Sequence, residues 1–188
     1  RIDMSPGYNN SENELQYVAQ KDFENNKRYI MGRIERNTLS MSVRLNYNIT
    51  PDLTIQYWGQ PFIATGKYSD FKYVTNSKAD NAYDRFQYYS GNQISFNEND
   101  EVYLISEGGN NQVDYQFDKP DFNVKEFLSN LVVRWEYQPG STLYLVWSQN
   151  RSDFVNSGNF NFQDDVNQLF DQKAHNIFLV KVSYRFGR

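Results

Sequence analysis

Hydrophobic and polar residues alternate with period two over several long stretches of this chain. From residue 39 the odd positions are Leu39, Met41, Val43, Leu45, Tyr47 and Ile49, and the even ones Ser40, Ser42, Arg44, Asn46 and Asn48. Side chains on a strand point alternately to its two faces, so this run predicts a strand with one apolar and one polar face. Upstream, Ile30 and Ile34 occupy even positions, and the change of phase predicts a bulge or turn within 35–38. Thr50-Pro51-Asp52 reads as a tight turn. The return run puts Leu53, Ile55, Tyr57, Gly59 and Ile63 on one face and Thr54, Gln56, Trp58 and Gln60 on the other. Pro61 within it predicts a bulge, because proline cannot donate to a sheet ladder.

A second hairpin repeats the scheme. Phe127, Leu131, Val133, Trp135 and Tyr137 alternate with Asn130, Val132, Arg134 and Glu136. Gln138-Pro139-Gly140-Ser141 is a turn, and Leu143, Leu145 and Trp147 return. The Arg44, Tyr47, Pro51, Thr54 spacing recurs as Arg134, Tyr137, Pro139, Thr142. A last strand over 177–186 places Phe178, Val180, Val182, Tyr184 and Phe186 against Lys181, Ser183 and Arg185. Residues 1–27 are polar and rich in Asn, and read as loop with one short strand candidate at Leu15, Tyr17 and Ala19. Long loops are expected over 66–121, with short strands at 86–89 and 102–105, and over 149–174, with one or two helical turns at 164–170.

The short turns then fall at one end of an antiparallel meander and the long excursions at the other, as in outer-membrane barrels. Eleven residues at about 3.3 Å each reach roughly 36 Å, enough to cross a tilted apolar band of about 25 Å. The fold expected is all-β, an antiparallel meander of long strands forming the C-terminal part of a transmembrane outer-membrane β-barrel. Domain organisation follows as 1–27, then a barrel segment over 28–188. Too few strong strands are present to close a barrel, and the chain starts at Arg1 without a Met, so strands are expected upstream. Lipid or interface positions are Trp135, Tyr137, Trp147, Phe178, Val180, Val182, Tyr184 and Phe186, since ring side chains favour the bilayer interface. Lumen positions are Arg44, Gln56, Arg134, Glu136, Lys181 and Arg185, because mid-strand charges need a wet or hydrogen-bonded surrounding. A soluble antiparallel sandwich gives the same alternation with the apolar faces turned inward.

Composition narrows the chemistry. The 188 residues carry a net charge of -4, which speaks against nucleic acid as a partner. No cysteine is present, which removes disulfides, thiol nucleophiles and iron–sulfur clusters; one histidine, His175, gives little basis for a metal site or a catalytic triad. Mean hydropathy is -0.79, yet 17% of residues are aromatic, which disordered chains do not show. No run is long and apolar enough for a transmembrane helix. Asp164, Asp165 and Asp171, and Asp114, Asp118 and Asp121, are acidic loop clusters, but neither has a spacing that places two carboxylates across a sugar or frames a calcium loop. Gly108-Gly109-Asn110-Asn111 lacks a phosphate-loop frame and reads as a turn. Trp58, on the polar face of its strand, is the candidate for ligand contact by ring stacking. The loop tyrosines Tyr68, Tyr73, Tyr83, Tyr88 and Tyr89 either meet an external ligand or pack the loops. No cofactor or metal is expected.

Residues 38–53, 60–63, 66–71, 120–123 and 130–149, above all the run RWEYQPGSTLYLVWSQ, resemble the C-terminal barrel region of a Bacteroidota outer-membrane family of uncharacterised function. Its members join an N-terminal β-sandwich, similar to family-nine carbohydrate-binding modules, to a barrel. The resemblance covers about 28–188. It implies an outer-membrane location with extracellular long loops and a periplasmic C-terminus. It further implies a sandwich module upstream and partners among lipid, glycans and other envelope proteins. Some members carry a hydrolase label with no active-site motif behind it. The terminal aromatic of many barrels is displaced here, Phe186 being followed by Gly187 and Arg188. The function expected is a membrane anchor or pore rather than an enzyme. The alternatives are a soluble secreted carbohydrate-binding sandwich and a surface glycan hydrolase using loop carboxylates.

Overall fold

A computed structural model describes residues 1–108 and 112–187. The alternating runs form long antiparallel strands: β1 (Ile2–Phe23), β2 (Asn26–Thr50), β3 (Leu53–Val74), β8 (Phe122–Gln138), β9 (Ser141–Val155) and β10 (His175–Ser183). They lie in the order β1-β2-β3-β8-β9-β10, and β4 (Phe86–Tyr88) pairs with the far end of β3. A small second sheet holds β5 (Ile94–Asn97), β6 (Val102–Ile105) and β7 (Tyr115–Asp118). One helix, α1 (Phe162–Asp171), follows β9. The fold is all-β with antiparallel sheets. Among the described residues the large sheet is open: β1 pairs only with β2, and β10 only with β9.

Turn chemistry sets the register. In the Gln138–Ser141 turn Gly140 takes φ +79°, a left-handed value at which a side chain would be strained. Both proline turns lie at one end of the sheet, and the 75–121 and 156–174 connections at the other. The β1–β2 hairpin, also at the latter end, turns tightly through Glu24 and Asn25, both at positive φ.

Several expectations need correction. Residues 1–27 are not loop: β1 is a 22-residue strand. It is an edge strand whose side chains are mostly exposed on both faces, so backbone pairing with β2 holds it and alternation marks it only at Leu15, Tyr17 and Ala19, where the short strand is expected. No bulge interrupts β2 at 35–38; Glu35 to Thr38 pair in unbroken register with both neighbours. The phase changes because the environment does. Ile30 belongs to the even face and is buried there against the small sheet, whereas from Leu39 onward the odd face is apolar. Pro61 makes no bulge either: the β2–β3 ladder passes from Ser40↔Phe62 to Val43↔Gly59 without paired residues between, while Pro61 stays opposite Phe127 on β8. The loop expected over 66–121 is strand to Val74 and contains β4 to β7. The loop expected over 149–174 is strand to Val155 and then α1. The last strand starts at His175 and ends at Ser183, short of Phe186. The Gly109 to Asn111 part of the expected glycine turn lies outside the described residues.

The buried core sits at the long-connection end. Ile30, Phe71, Tyr73, Tyr89, Ile105, Tyr115 and Phe117 form one cluster between the large sheet and β5–β7. Phe71, Tyr103 and Phe117 pack ring against ring at 4.7–5.2 Å. The small sheet thus caps the even, polar face. Helix α1 lies on the opposite, odd face, where Leu169 is fully buried.

Candidate functional surface

The register aligns the strands' apolar positions into rows. Leu45, Tyr57, Leu131, Trp147 and Phe178 face one another in succession, and so do Tyr47, Ile55, Val133, Leu145 and Val180. Next come Leu53, Trp135, Leu143 and Val182. The rows stay open: Trp135 is 48% exposed and Val180 65%. Ten residue steps separate Leu53 from Ile63 along β3, which is about 33 Å of strand at about 3.3 Å per residue. Beyond Leu39 the same face turns charged. There Arg33 meets Glu12 at 2.8 Å, Glu35 at 3.4 Å and Asp70 at 3.8 Å. The apolar band is therefore bounded above by ions and below by the proline turns.

The other face carries its own rows: Asp3, Arg44, Trp58, Asn130, Ser148 and Ile177; Asn46, Gln56, Val132, Val146 and Leu179; Asn48, Thr54, Arg134, Tyr144 and Lys181. Arg134 donates to Glu136 at 2.8 Å, and Lys181 lies 5.9 Å from the Tyr144 ring. Arg44, Gln56, Arg134, Glu136 and Lys181 thus share one face. Arg185 lies beyond β10, its side chain folded over Gly140 and its backbone N–H donating to Ser141 Oγ at 3.0 Å. Trp135, Trp147, Phe178, Val180 and Val182 share the apolar face, with Trp147 stacked on Phe178. Tyr137 occupies a register shift, its hydroxyl donating to the Ser183 carbonyl at 3.3 Å. Tyr184 and Phe186 extend past the last strand and pack edge to face at 4.8 Å.

Trp58 Nε1 donates to Ser42 Oγ at 3.2 Å. With Asn130, Ser148, Gln149 and His175 it lines a shallow depression of about 230 Å³ on the polar face. Trp58 and His175, far apart in sequence, meet there. The loop carboxylates are tied to local structure. Asp165 accepts from Asn123 Nδ2 at 2.7 Å and from the Asn161 N–H at 3.0 Å. Asp121 accepts from the Tyr68 N–H and Asp114 from the Glu107 N–H, each at 2.8 Å. Among the described residues no three His, Asp or Glu side chains gather as a metal would require.

Two polar networks have no sequence signature. Lys125 is fully buried under α1, its Nζ donating to Asp153 Oδ2 and Gln168 Oε1 at 2.8 Å each, with Asp165 at 3.8 Å. At the cap, Arg28 forks onto Glu107 at 2.9–3.1 Å, and the Tyr115 hydroxyl donates to the same carboxylate. Tyr89 and Tyr115 hydroxyls share a 2.9 Å hydrogen bond. The Glu107 hydrogen bond raises the Arg28 guanidinium above its ordinary value. Burial pushes both tyrosine hydroxyls well above theirs, with Glu107 adding to the shift at Tyr115. Tyr73 belongs to this core, whereas Tyr83 is exposed.

Comparison with known families matches residues 1–186 to a domain of unknown function, DUF5916. No curated protein and no solved structure matches the chain.

Proposed function

This chain belongs to the DUF5916 family, and we propose that it is a segment of a transmembrane β-barrel in a bacterial outer membrane, acting as anchor or pore rather than as an enzyme. The observation that carries the reading is the open apolar band, continuous in register across β2, β3, β8, β9 and β10. On β3 the band is about 33 Å long, which at a strand tilt of about 40° gives roughly 25 Å of height, the thickness of such a barrel's apolar belt; on β9 and β10 it is three rows deep, with Gln149, Arg151 and Asn176 following on the same face. A soluble sandwich would cover that face with a second sheet. The chain's own second sheet packs on the opposite face instead, which favours the membrane. Arg44, Gln56, Arg134, Glu136 and Lys181 then face the interior, capped at one end by β5–β7. The unpaired edges of β1 and β10 would close against further strands, since an open edge in lipid leaves backbone groups unsatisfied.

In this reading the long connections are extracellular and the C-terminus periplasmic. The finer assignment is to the Bacteroidota outer-membrane group with an N-terminal carbohydrate-binding-like module. It rests on the sequence resemblance and makes a glycan or another envelope protein the external partner. Trp58 is its candidate ligand contact from the polar face.

Paired substitutions on β10 test the lipid face. Val180→Arg, one row in from the Leu53–Val182 edge of the band, is expected to cost about 1–3 kcal/mol, between the interface and midplane values, and to impair assembly, whereas Ser183→Arg, on the other face, is expected to be mild. The readout is heat-modifiable mobility of the membrane fraction on gels. Equal tolerance of both would remove the assignment.

A further inference from the structure

Helix α1 has more apolar surface than the sheet covers. At about 100° per residue, Leu169, Phe162, Val166 and Phe170 follow one another around a single arc. Leu169, at one end of that arc, is buried on the sheet beside Asp165. Phe162, Val166 and Phe170, on successive turns, point instead into an open cavity of about 490 Å³. Its floor is Leu39, Met41, Tyr57, Pro61, Ile63 and Phe127, and Phe170 touches it ring to ring with Phe127 at 5.2 Å. Phe162 remains 58% exposed. The helix is held in this pose by the buried Lys125, which bonds Asp153 on β9 and Gln168 on α1.

The place of this cavity matters as much as its lining. Leu39, Ile63 and Phe127 are the upper edge of the apolar band, directly below the charged rows. The cavity is continuous with the band, whose Val43 and Tyr57 also line it. We infer that it is a lipid site: an acyl chain of an outer-leaflet lipid lies under α1, and the helix rests at the membrane boundary as a collar on the barrel's outer wall. The inference rests on the barrel reading above. The occupant is a hydrocarbon chain for two reasons. The floor strands β2, β3 and β8 have neighbours on both sides, and the edge strand β1 reaches the lining only at Pro6, which has no N–H to donate, so the cavity offers little backbone pairing to a peptide. No charged side chain lines the cavity; the nearest cation, Arg151, lies over the outer Phe170 ring at 5.7 Å and is engaged by the Phe170 and Gln172 carbonyls, and the exposed charges on α1, Asp164 and Asp171, are acidic, so the lining itself favours a hydrocarbon chain over an anionic headgroup.

The test uses spin labels in the full native chain, reconstituted in vesicles of phosphatidylethanolamine and phosphatidylglycerol. The 188 residues hold no cysteine, and any elsewhere in the chain is replaced by serine. Single cysteines are placed by Val166→Cys and Phe162→Cys in the cavity wall, Asn167→Cys on the solvent side of α1, and Val180→Cys in the band. Oxygen, which partitions into lipid, and a water-soluble nickel chelate compete to relax each label. The expected result is oxygen dominance at 166, 162 and 180, and chelate dominance at 167. If 180 is oxygen-dominated while both cavity positions respond like 167, or are shielded from both reagents, the lipid site is overturned and the barrel reading stands. If 180 itself is reached by the chelate, the barrel reading fails and the lipid site with it. Agreement of 162 with 166 guards against a local disturbance by either substitution.

Discussion

At the scale of single residues, the strongest placements are buried polar groups that hold the excursions to the large sheet. Lys125 has no solvent contact, so its charge is tolerated only because Asp153, Gln168 and Asp165 surround it. Lys125→Met leaves two carboxylates without their cation, and the cost expected from breaking such a pair is about 3–5 kcal/mol. Because the contact is local to α1, the loss should be read as faster proteolysis of 156–174 while the strands persist. Unchanged cleavage would show that Lys125 does not hold the helix. At the cap, Tyr89 and Tyr115 ionise well above the ordinary tyrosine value of 10.0. Their folded forms keep protons that the unfolded chain releases, so the stabilisation is complete below about pH 10 and declines as pH rises beyond it. An alkaline titration followed by tyrosinate absorbance should show these hydroxyls ionising late, together with loss of the cap. Tyr89→Phe should remove one late-ionising group. Early, independent ionisation of every tyrosine would contradict the burial. The sequence singles out Tyr89 and Asp165 as loop residues but not the pairings of these networks, because Arg28 and Glu107 stand 79 positions apart and Lys125 and Gln168 stand 43 apart.

Among the elements, legibility follows the solvent contrast across each strand. The turns and alternation of β2, β3, β8 and β9 are readable because one face is uniformly apolar through the band, and β6 appears where Val102–Ile105 predicts it. The first strand shows only at Leu15, Tyr17 and Ala19, since over most of its length neither face is buried enough to select apolar residues. In β2 the period is kept, but the apolar side changes from even, where Ile30 is buried, to odd from Leu39, where it stays open, which periodicity alone reads as a break. Helix α1 shows only partly: 164–170 reads as one or two turns, whereas the cap at Asn161 extends it to ten residues. Asn161 Oδ1 accepts from the N–H groups of Gln163 and Asp164. Asn161→Ala should therefore cost about 1 kcal/mol of helix stability, seen as faster amide exchange confined to the first turn. The loop before it crosses β3 at Gly158, where a Cβ would stand 2.6 Å from Lys67 Cα. A side chain there has to push the loop off the sheet, so Gly158→Ala should raise proteolysis of the same segment.

For the whole molecule, a row-by-row register does more than the alternation of any one strand. Alternation gives each strand two faces, and only pairing shows that the apolar faces coincide across the sheet while the charged ones coincide on the other side. That pairing leaves a large apolar surface in the open, two unpaired edges, a cap on the polar face and a helix on the apolar one. A bilayer explains the first two together: it covers the band, and it requires the edges to be closed by further strands. The most direct measurement is where the native polypeptide carrying this sequence resides. Cells are fractionated, the envelope is washed with alkaline carbonate, and peptides of this chain are followed through each fraction. They are expected to stay with the outer membrane after the wash and to leave it only in detergent. Recovery in the aqueous fraction without detergent would contradict the membrane reading, and the apolar face would then have to be covered by protein.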